Sequence, residues 1–213
     1  MSIEHAQRFF ETAYKTGSDV WTHIPYLNKG SLLTKKLSRN SLILDIGSGR
    51  GLWAFHLVSL GYRVIGLDTV GDLVTKTNEE VKNHKLIGRA RFIAGSALDI
   101  PLTDESFDAV TDFGLLQHLA EEEQAVYARE LLRVLKPGGY LLLVMLSKET
   151  RVFLGFSPKE SVTGIFDKED IHYHFFTEEG IEQLFGDRVQ KIESHTEYID
   201  KDTVYVSVLF QKK

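Results

Sequence analysis

Ile3, Ala6, Phe9, Phe10, Ala13 and Tyr14 recur at intervals of three and four, the period of a helix with one apolar face, and Gly17 marks its end. A less regular stretch, SDVWTHIPYLNKG, follows, and a short helix is expected over residues 32–37. From Ser41 the pattern changes. SLILDI, RVIGLD, RFIAG and FDAVTDF are short, nearly solid apolar runs that read as strands, while LWAFHLVSLG and residues 73–86 and 121–135 carry helical spacing. KPGG stops the last of these helices, and YLLLVML after it is a further strand. Strands that alternate with helices and are apolar on both faces predict an α/β fold, a doubly wound and mostly parallel sheet.

Beyond Leu146 the rhythm breaks. A long polar and aromatic segment precedes the helix TEEGIEQLF, and two runs, residues 189–198 and 203–211, joined by IDKD, read as a C-terminal antiparallel hairpin. In the second run Val204, Val206 and Val208 alternate with Tyr205, Ser207 and Leu209, which predicts one partly wet face. Residues 147–174 are long for a strand-to-helix connection, a length that favours a functional loop. There is no internal repeat, low-complexity tract or linker.

The chain has 213 residues, enough for one core, and a formal charge of -5, so no basic field gathers nucleic acid or anionic lipid. With no cysteine, disulfides, thiolate metal sites and thiol nucleophiles are excluded. No run approaches the roughly 18 apolar residues of a membrane span, and MSIEHAQRFFETAYKTG does not read as a signal peptide. The expectation is a cytoplasmic protein without nucleic-acid or membrane partners.

LDIGSGRG, residues 44–51, joins the first strand to the first helix and so stands where doubly wound sheets bind ligands. A dinucleotide loop would want glycine at 47, 49 and 52, but position 52 is Leu and the third glycine comes early, at 51. Asp45 narrows the choice further. A carboxylate at the mouth of the first strand repels a pyrophosphate and welcomes a cation. S-adenosylmethionine carries an ammonium and a sulfonium and no phosphate. Asp68, at the end of RVIGLD, can accept both hydroxyls of a ribose in either class of ligand, or cap the following helix.

LDIGSGRG, VIGLD, GSALDIPLTDESFDAV and ELLRVLKPGGYLLLV, in that order, resemble the class I S-adenosylmethionine-dependent methyltransferases of the small-molecule type, over residues 41–146. The resemblance implies a seven-stranded Rossmann-like methyltransferase fold, here with an N-terminal helical cap. It places Asp45 and Gly47 near the methionine end of S-adenosylmethionine, Asp68 on the ribose, and Ser96 with Ala97 beside the adenine. Ser48, Gly49, Gly51, Thr69, Leu98, Asp112 and Phe113 complete the implied cofactor set. Many relatives have Asp where Ser96 stands; a hydroxyl is the weaker acceptor, and Asp99 is the alternative. A single domain is expected, with a cap or lid over residues 1–38, a cofactor-binding core over 39–146, an acceptor-side loop over 147–176, and a C-terminal helix and hairpin over 177–213.

Methyl transfer from a sulfonium needs alignment and exclusion of water, and a base only where the acceptor must lose a proton. His118, His172 and His174 are the candidates for that base, with pocket-wall or helix-start roles open for His118. Tyr14, Trp21, His23 and Tyr26 precede the core and are candidates for a lid that shapes the acceptor pocket, or for plain packing. His172 and His174 in HYHFF would share one face of an extended chain, but no third ligand lies at a convincing spacing, so no metal is expected. Without cysteine the covalent route to pyrimidine carbon 5 is closed. The four prolines are isolated, so the Asn/Asp-Pro-Pro-aromatic motif that the resemblance links to planar amino acceptors is missing. The expected acceptor is a small, partly apolar molecule. Two other classes stay open: an NAD(P)- or flavin-dependent oxidoreductase, and a non-catalytic S-adenosylmethionine-binding protein.

Overall fold

The computed structural model describes residues 3–19, 30–168 and 171–213. The amphipathic start forms α1 (Ile3–Thr16), and α2 (Ser31–Thr34) follows. Then come β1 (Leu42–Ile46), α3 (Leu52–Ser59), β2 (Arg63–Asp68), α4 (Gly71–Asn83), β3 (Ala90–Ala94), β4 (Phe107–Phe113), α5 (Glu121–Val134) and β5 (Leu135–Leu146). The C-terminal part contributes β6 (Ile165–Lys168), β7 (Ile171–His174), α6 (Glu178–Phe185), β8 (Val189–Tyr198) and β9 (Val204–Lys212).

Seven strands form one sheet in the order β3-β2-β1-β4-β5-β9-β8. β1 to β5 pair in parallel, and β9 joins antiparallel between β5 and β8. Side chains of a strand alternate between faces, so a strand covered on both sides must be apolar at every position. Leu44, Leu141 and Leu143 belong to the core under Tyr127 and Leu131 of α5 and Ile181 and Phe185 of α6. Ile43, Leu142 and Val144 belong to the opposite core, with Leu33 of α2, Trp53 and Leu57 of α3 and Val74 of α4. The solid runs read from the sequence are this double burial. From β1 the chain winds toward β3 on one side and, after returning to β4, toward β5 on the other. The crevice at the carboxyl ends of β1 and β4 is therefore the switch point of the sheet, where such folds take ligands.

Four expectations need correction. The helix expected over residues 32–37 is the single turn Ser31–Thr34. KPGG is not a turn ahead of a strand: β5 starts at Leu135, opposite Phe107, and the register slips before Tyr140 meets Ala109. Gly138, at φ +74°, lies within that slip. Residues 147–176 are more than a loop, since β6 and β7 pair antiparallel as a separate two-stranded unit. Finally, β9 has no wet face, and Val204 to Phe210 are all buried. Val206, Val208 and Phe210 join the core with Ile181 and Phe185 of α6, and Tyr205 and Leu209 join the opposite core, so both faces are covered, while β8 takes the exposed edge.

The hairpin turn at IDKD is present. Ile199 N–H donates to the Thr203 carbonyl at 3.0 Å, and the Asp200 carboxylate accepts from the amides of Asp202 and Thr203 at 2.8 Å each. Among the described residues, no helix is long and apolar enough to cross a membrane.

Candidate active site

The loop between β1 and α3 is held by the main chain. Ser48 N–H donates to the Leu67 carbonyl of β2 at 3.0 Å, and Gly51 N–H to the Ser48 carbonyl at 2.8 Å. Gly51 stands immediately before α3 with φ +72°, a left-handed conformation that a side chain opposes. A Cβ there would also lie 2.7 Å from the Phe92 ring. The early third glycine thus serves the entry into the helix, which explains why this loop departs from the dinucleotide spacing. At Gly49 a Cβ would lie 2.6 Å from the Tyr14 hydroxyl oxygen, so α1 reaches this loop.

Three buried carboxylates stand at the carboxyl edge of the sheet. Asp45, 3% exposed, accepts a hydrogen bond from the Thr111 hydroxyl of β4 at 2.9 Å, and the Trp53 indole N–H points at the same hydroxyl at 3.3 Å. Burial pushes the Asp45 carboxyl up to about 8; the Thr111 bond opposes this, and the negative charges of Asp112 and Asp68 add to it. Asp68 accepts from Gly49 N–H at 2.9 Å and from Val70 N–H at 3.0 Å. It ties the glycine loop to the entry of α4, so it is more than a helix cap. Burial raises its pKa against these amide bonds. Asp112 accepts from the amides of Leu115 at 2.6 Å and Leu116 at 3.0 Å and from the Tyr127 hydroxyl. Burial brings it to about 6 despite these donors. With so many donors from the chain itself, Asp112 shapes the turn after β4. Phe113 packs on Trp53, ring centroids 4.6 Å apart.

At the end of β3, Gly95 N–H donates to the Asp68 carbonyl at 3.0 Å and brings the next loop alongside Asp68. There the Ser96 hydroxyl accepts from Leu98 N–H at 3.1 Å, Ala97 is buried, and Asp99 is exposed. Thr69 contributes a main-chain hydrogen bond to Asp68.

The three histidines play different parts. The His118 Nδ1 lies 2.9 Å from the His172 carbonyl; a carbonyl only accepts, so Nδ1 carries the proton and Nε2 holds a lone pair. Its ring sits edge-on between Phe10 of α1 and Tyr173 of β7, at 5.3 and 5.0 Å. Burial lowers its pKa to about 4, which keeps it neutral at pH 7. The His172 Nδ1 faces the Asp167 carboxylate at 3.1 Å, and its buried Nε2 has no hydrogen-bond partner among the described residues. The His174 Nδ1 accepts from the Gln124 amide at 3.0 Å and its ring stacks on Phe176, centroids 4.3 Å apart. His174 fastens β7 to α5. His172 and His174 do share one face of β7, with Ile171 and Tyr173 buried on the other. Tyr173 continues an aromatic cluster through Phe166, Phe153, Phe156 and Phe175.

Of the lid candidates, Tyr14 lies against the glycine loop, while Trp21, His23 and Tyr26 fall outside the described residues. Sequence reasoning missed Arg50, Asp19, Thr111 and Tyr127. Arg50 could have been noticed as a charge inside the loop; the others carry no local signal.

Three comparisons bear on this geometry. Residues 44–143 match the family model described as a methyltransferase domain. The chain is 32% identical over 114 residues to the ubiquinone/menaquinone biosynthesis C-methyltransferase UbiE of Proteus mirabilis, a match that covers 52% of this chain and 44% of that protein. It is 38% identical over 104 residues to the demethylmenaquinone methyltransferase of Clavibacter sepedonicus, covering 47% and 39%. The chain thus spans less than half the length of these curated relatives. The fold is also that of the Burkholderia thailandensis 1,6-didemethyltoxoflavin-N1-methyltransferase, crystallised with 1,6-didemethyltoxoflavin and S-adenosylhomocysteine. There the TM-score is 0.81 at 21% identity, over 99% of this chain and 88% of that one. Glycine loop, paired acids and strand order fall inside or around the matched stretch, so residues 44–143 match a methyltransferase domain, set in the fold of a methyltransferase crystallised with S-adenosylhomocysteine.

Proposed function

We propose that this protein transfers a methyl group from S-adenosylmethionine to a small, partly apolar acceptor. The observation that carries the reading is Asp45: a carboxyl buried at the glycine loop, raised to about 8, with Asp68 and Asp112 close enough to repel its charge. A ligand that brings a cation restores the carboxylate, whereas a pyrophosphate adds to the repulsion. The residues therefore fit S-adenosylmethionine. Asp45 and Gly47 would hold its amino acid end with Ser48, Gly49 and Gly51, Asp68 and Thr69 its ribose, and Ser96, Ala97 and Leu98 its adenine. When bound, the cofactor supplies a methyl group made electrophilic by a sulfonium.

The chain's own part is alignment and dryness. Phe10, His118 and Tyr173 form a continuous aromatic contact between α1 and β7 beside the turn that follows β4, which supports an acceptor enclosed against water. With its tautomer set by the His172 carbonyl, the neutral His118 has Nε2 as its accepting nitrogen; the Gln117 side-chain amide approaches it at 3.5 Å, and a hydroxyl or N–H of the acceptor would share or replace that weak contact. Its low pKa makes it a poor resting place for a proton, so its role is orientation. The names of the relatives, quinone biosynthesis enzymes and a toxoflavin N-methyltransferase, support a small-molecule acceptor.

Calorimetric titration tests the reading. S-adenosylhomocysteine is expected to bind and NADH to leave no heat signal; uptake of NADH with silence toward S-adenosylhomocysteine would restore the oxidoreductase class.

A further inference from the structure

Arg50 stands in the glycine loop and reaches Tyr14 and Asp19 of the N-terminal segment. Its Nε and Nη2 donate to the two carboxylate oxygens of Asp19 at 2.8 Å each, and Nη2 also donates to the Tyr14 carbonyl at 2.8 Å. The guanidinium lies 5.4 Å over the Tyr14 ring. Asp19 is 3% exposed while the Arg50 side chain is 36% exposed, so the carboxylate is buried under a guanidinium that still meets water, and a planar fork that engages both oxygens fixes orientation as well as distance. The end of α1 is thereby fastened to the loop at one residue.

The fastening decides where the Tyr14 phenol lies. Its oxygen is 2.6 Å from the position that a Cβ on Gly49 would occupy, on the residue next to Arg50. The amide of Gly49 is itself bound to Asp68 at 2.9 Å. One peptide thus joins the ribose acid, the arginine clamp and the phenol. The acids of the site, Asp45, Asp68 and Asp112, suit the ammonium of the donor's amino acid end but repel its carboxylate. A neutral donor at the loop meets that need, and a phenol O–H is one.

We infer that Arg50 is a positioning residue for the amino acid end of the donor: it sets the Tyr14 phenol against Gly49, where the phenol donates to the methionine carboxylate. This role presupposes that the loop holds S-adenosylmethionine, as proposed above. The arrangement reads the tail of the ligand and leaves the nucleoside to Asp68 and the loop after β3.

Two ligands separate these parts. S-adenosylhomocysteine has the amino acid tail, and 5′-methylthioadenosine keeps the nucleoside and sulfur without it. Both are titrated by calorimetry into the full chain and into the Tyr14→Phe and Arg50→Gln variants, with thermal melts of each. Tyr14→Phe keeps the ring and the contact with Arg50, so it removes the hydroxyl with little risk to the fold. Affinity for S-adenosylhomocysteine is expected to fall at least 10-fold in both variants, while affinity for 5′-methylthioadenosine stays within 2-fold. Equal losses on both ligands, or no loss on either, would overturn the role of Arg50 and Tyr14 and leave the cofactor reading standing. A wild-type chain that binds neither ligand would overturn the cofactor reading itself, and this role with it.

Discussion

The Thr111 hydroxyl of β4 donates to the Asp45 carboxylate of β1 at 2.9 Å, across two parallel strands that are neighbours because the winding of the chain across the sheet reverses there. This bond joins the buried acid of the glycine loop to the strand that carries Asp112. It opposes the burial that raises Asp45 to about 8.

A pH dependence of ligand binding follows. Below about 8 the Asp45 carboxyl is largely protonated, and an ammonium ligand must displace that proton. Affinity for S-adenosylhomocysteine is expected to rise between pH 6 and 8, with proton release detectable by calorimetry in buffers of different ionisation enthalpy. Thr111→Val removes the opposing bond and should move the rise to higher pH. Asp45→Asn should flatten it and weaken binding about 10-fold or more.

Asp45 acts on stability with the opposite sign. Its folded pKa lies above the unfolded value of 3.8, so its contribution is fully present below about pH 4 and is lost as the pH rises through about 8. Asp45→Asn is therefore expected to melt at a higher temperature than wild type at pH 8, while binding suffers. A lower melting temperature at that pH would show that the carboxylate has a partner that offsets its burial.

Asp68→Ala releases the amides of Gly49 and Val70 as well as removing the proposed ribose acceptor. The loss in stability is expected to be about 1–3 kcal/mol. Affinity for S-adenosylhomocysteine should fall well beyond 10-fold. Retained circular dichroism with unchanged affinity in calorimetry would defeat the assignment of the ribose site.

His118 and His174 should separate in nitrogen NMR of labelled histidines. His118 is expected to remain neutral with the proton on Nδ1 from pH 8 down to about 5, since burial lowers it to about 4. His174, whose Nδ1 accepts from Gln124, should carry its proton on Nε2. Because the folded pKa of His118 lies below its unfolded value near 6.5, its contribution to stability is present above that value and fades as the pH falls toward 4. A His118 signal that titrates near 6.5 would remove the enclosure between Phe10 and Tyr173 on which its role depends.

Leu142 is fully buried in the core that holds Trp53 and Leu57. Leu142→Ala is expected to cost on the order of 2–5 kcal/mol in urea unfolding, with little change in ligand affinity per folded molecule.

The alternation of strand and helix, the glycine loop and the acids that end β1 and β2 were legible from local pattern. Each depends on neighbours within a few residues: a solid apolar run, a left-handed turn, a polar group where a strand stops. KPGG and residues 203–211 misled for one shared reason. A register slip is decided by the partner strand, here β4 against β5 between Phe107 and Ala109, and a wet face by what packs on it, here α6 on one side of β9 and the opposite core on the other. Ser96 illustrates an intermediate case, since its hydroxyl is turned to Leu98 N–H within its own loop, which the residue type alone does not reveal.

Sequence by itself determined the doubly wound sheet, the place of the glycine loop and the acids beside it, because these follow from short-range periodicity and from chemistry carried by single residues. Only the tertiary structure decided which groups share a charge or a proton. Asp45 meets Thr111 across 66 positions, His118 meets the His172 carbonyl across 54, and Arg50 meets Asp19 across 31. Burial and partner choice are properties of packing, and they turn three aspartates and three histidines of one composition into groups with different work.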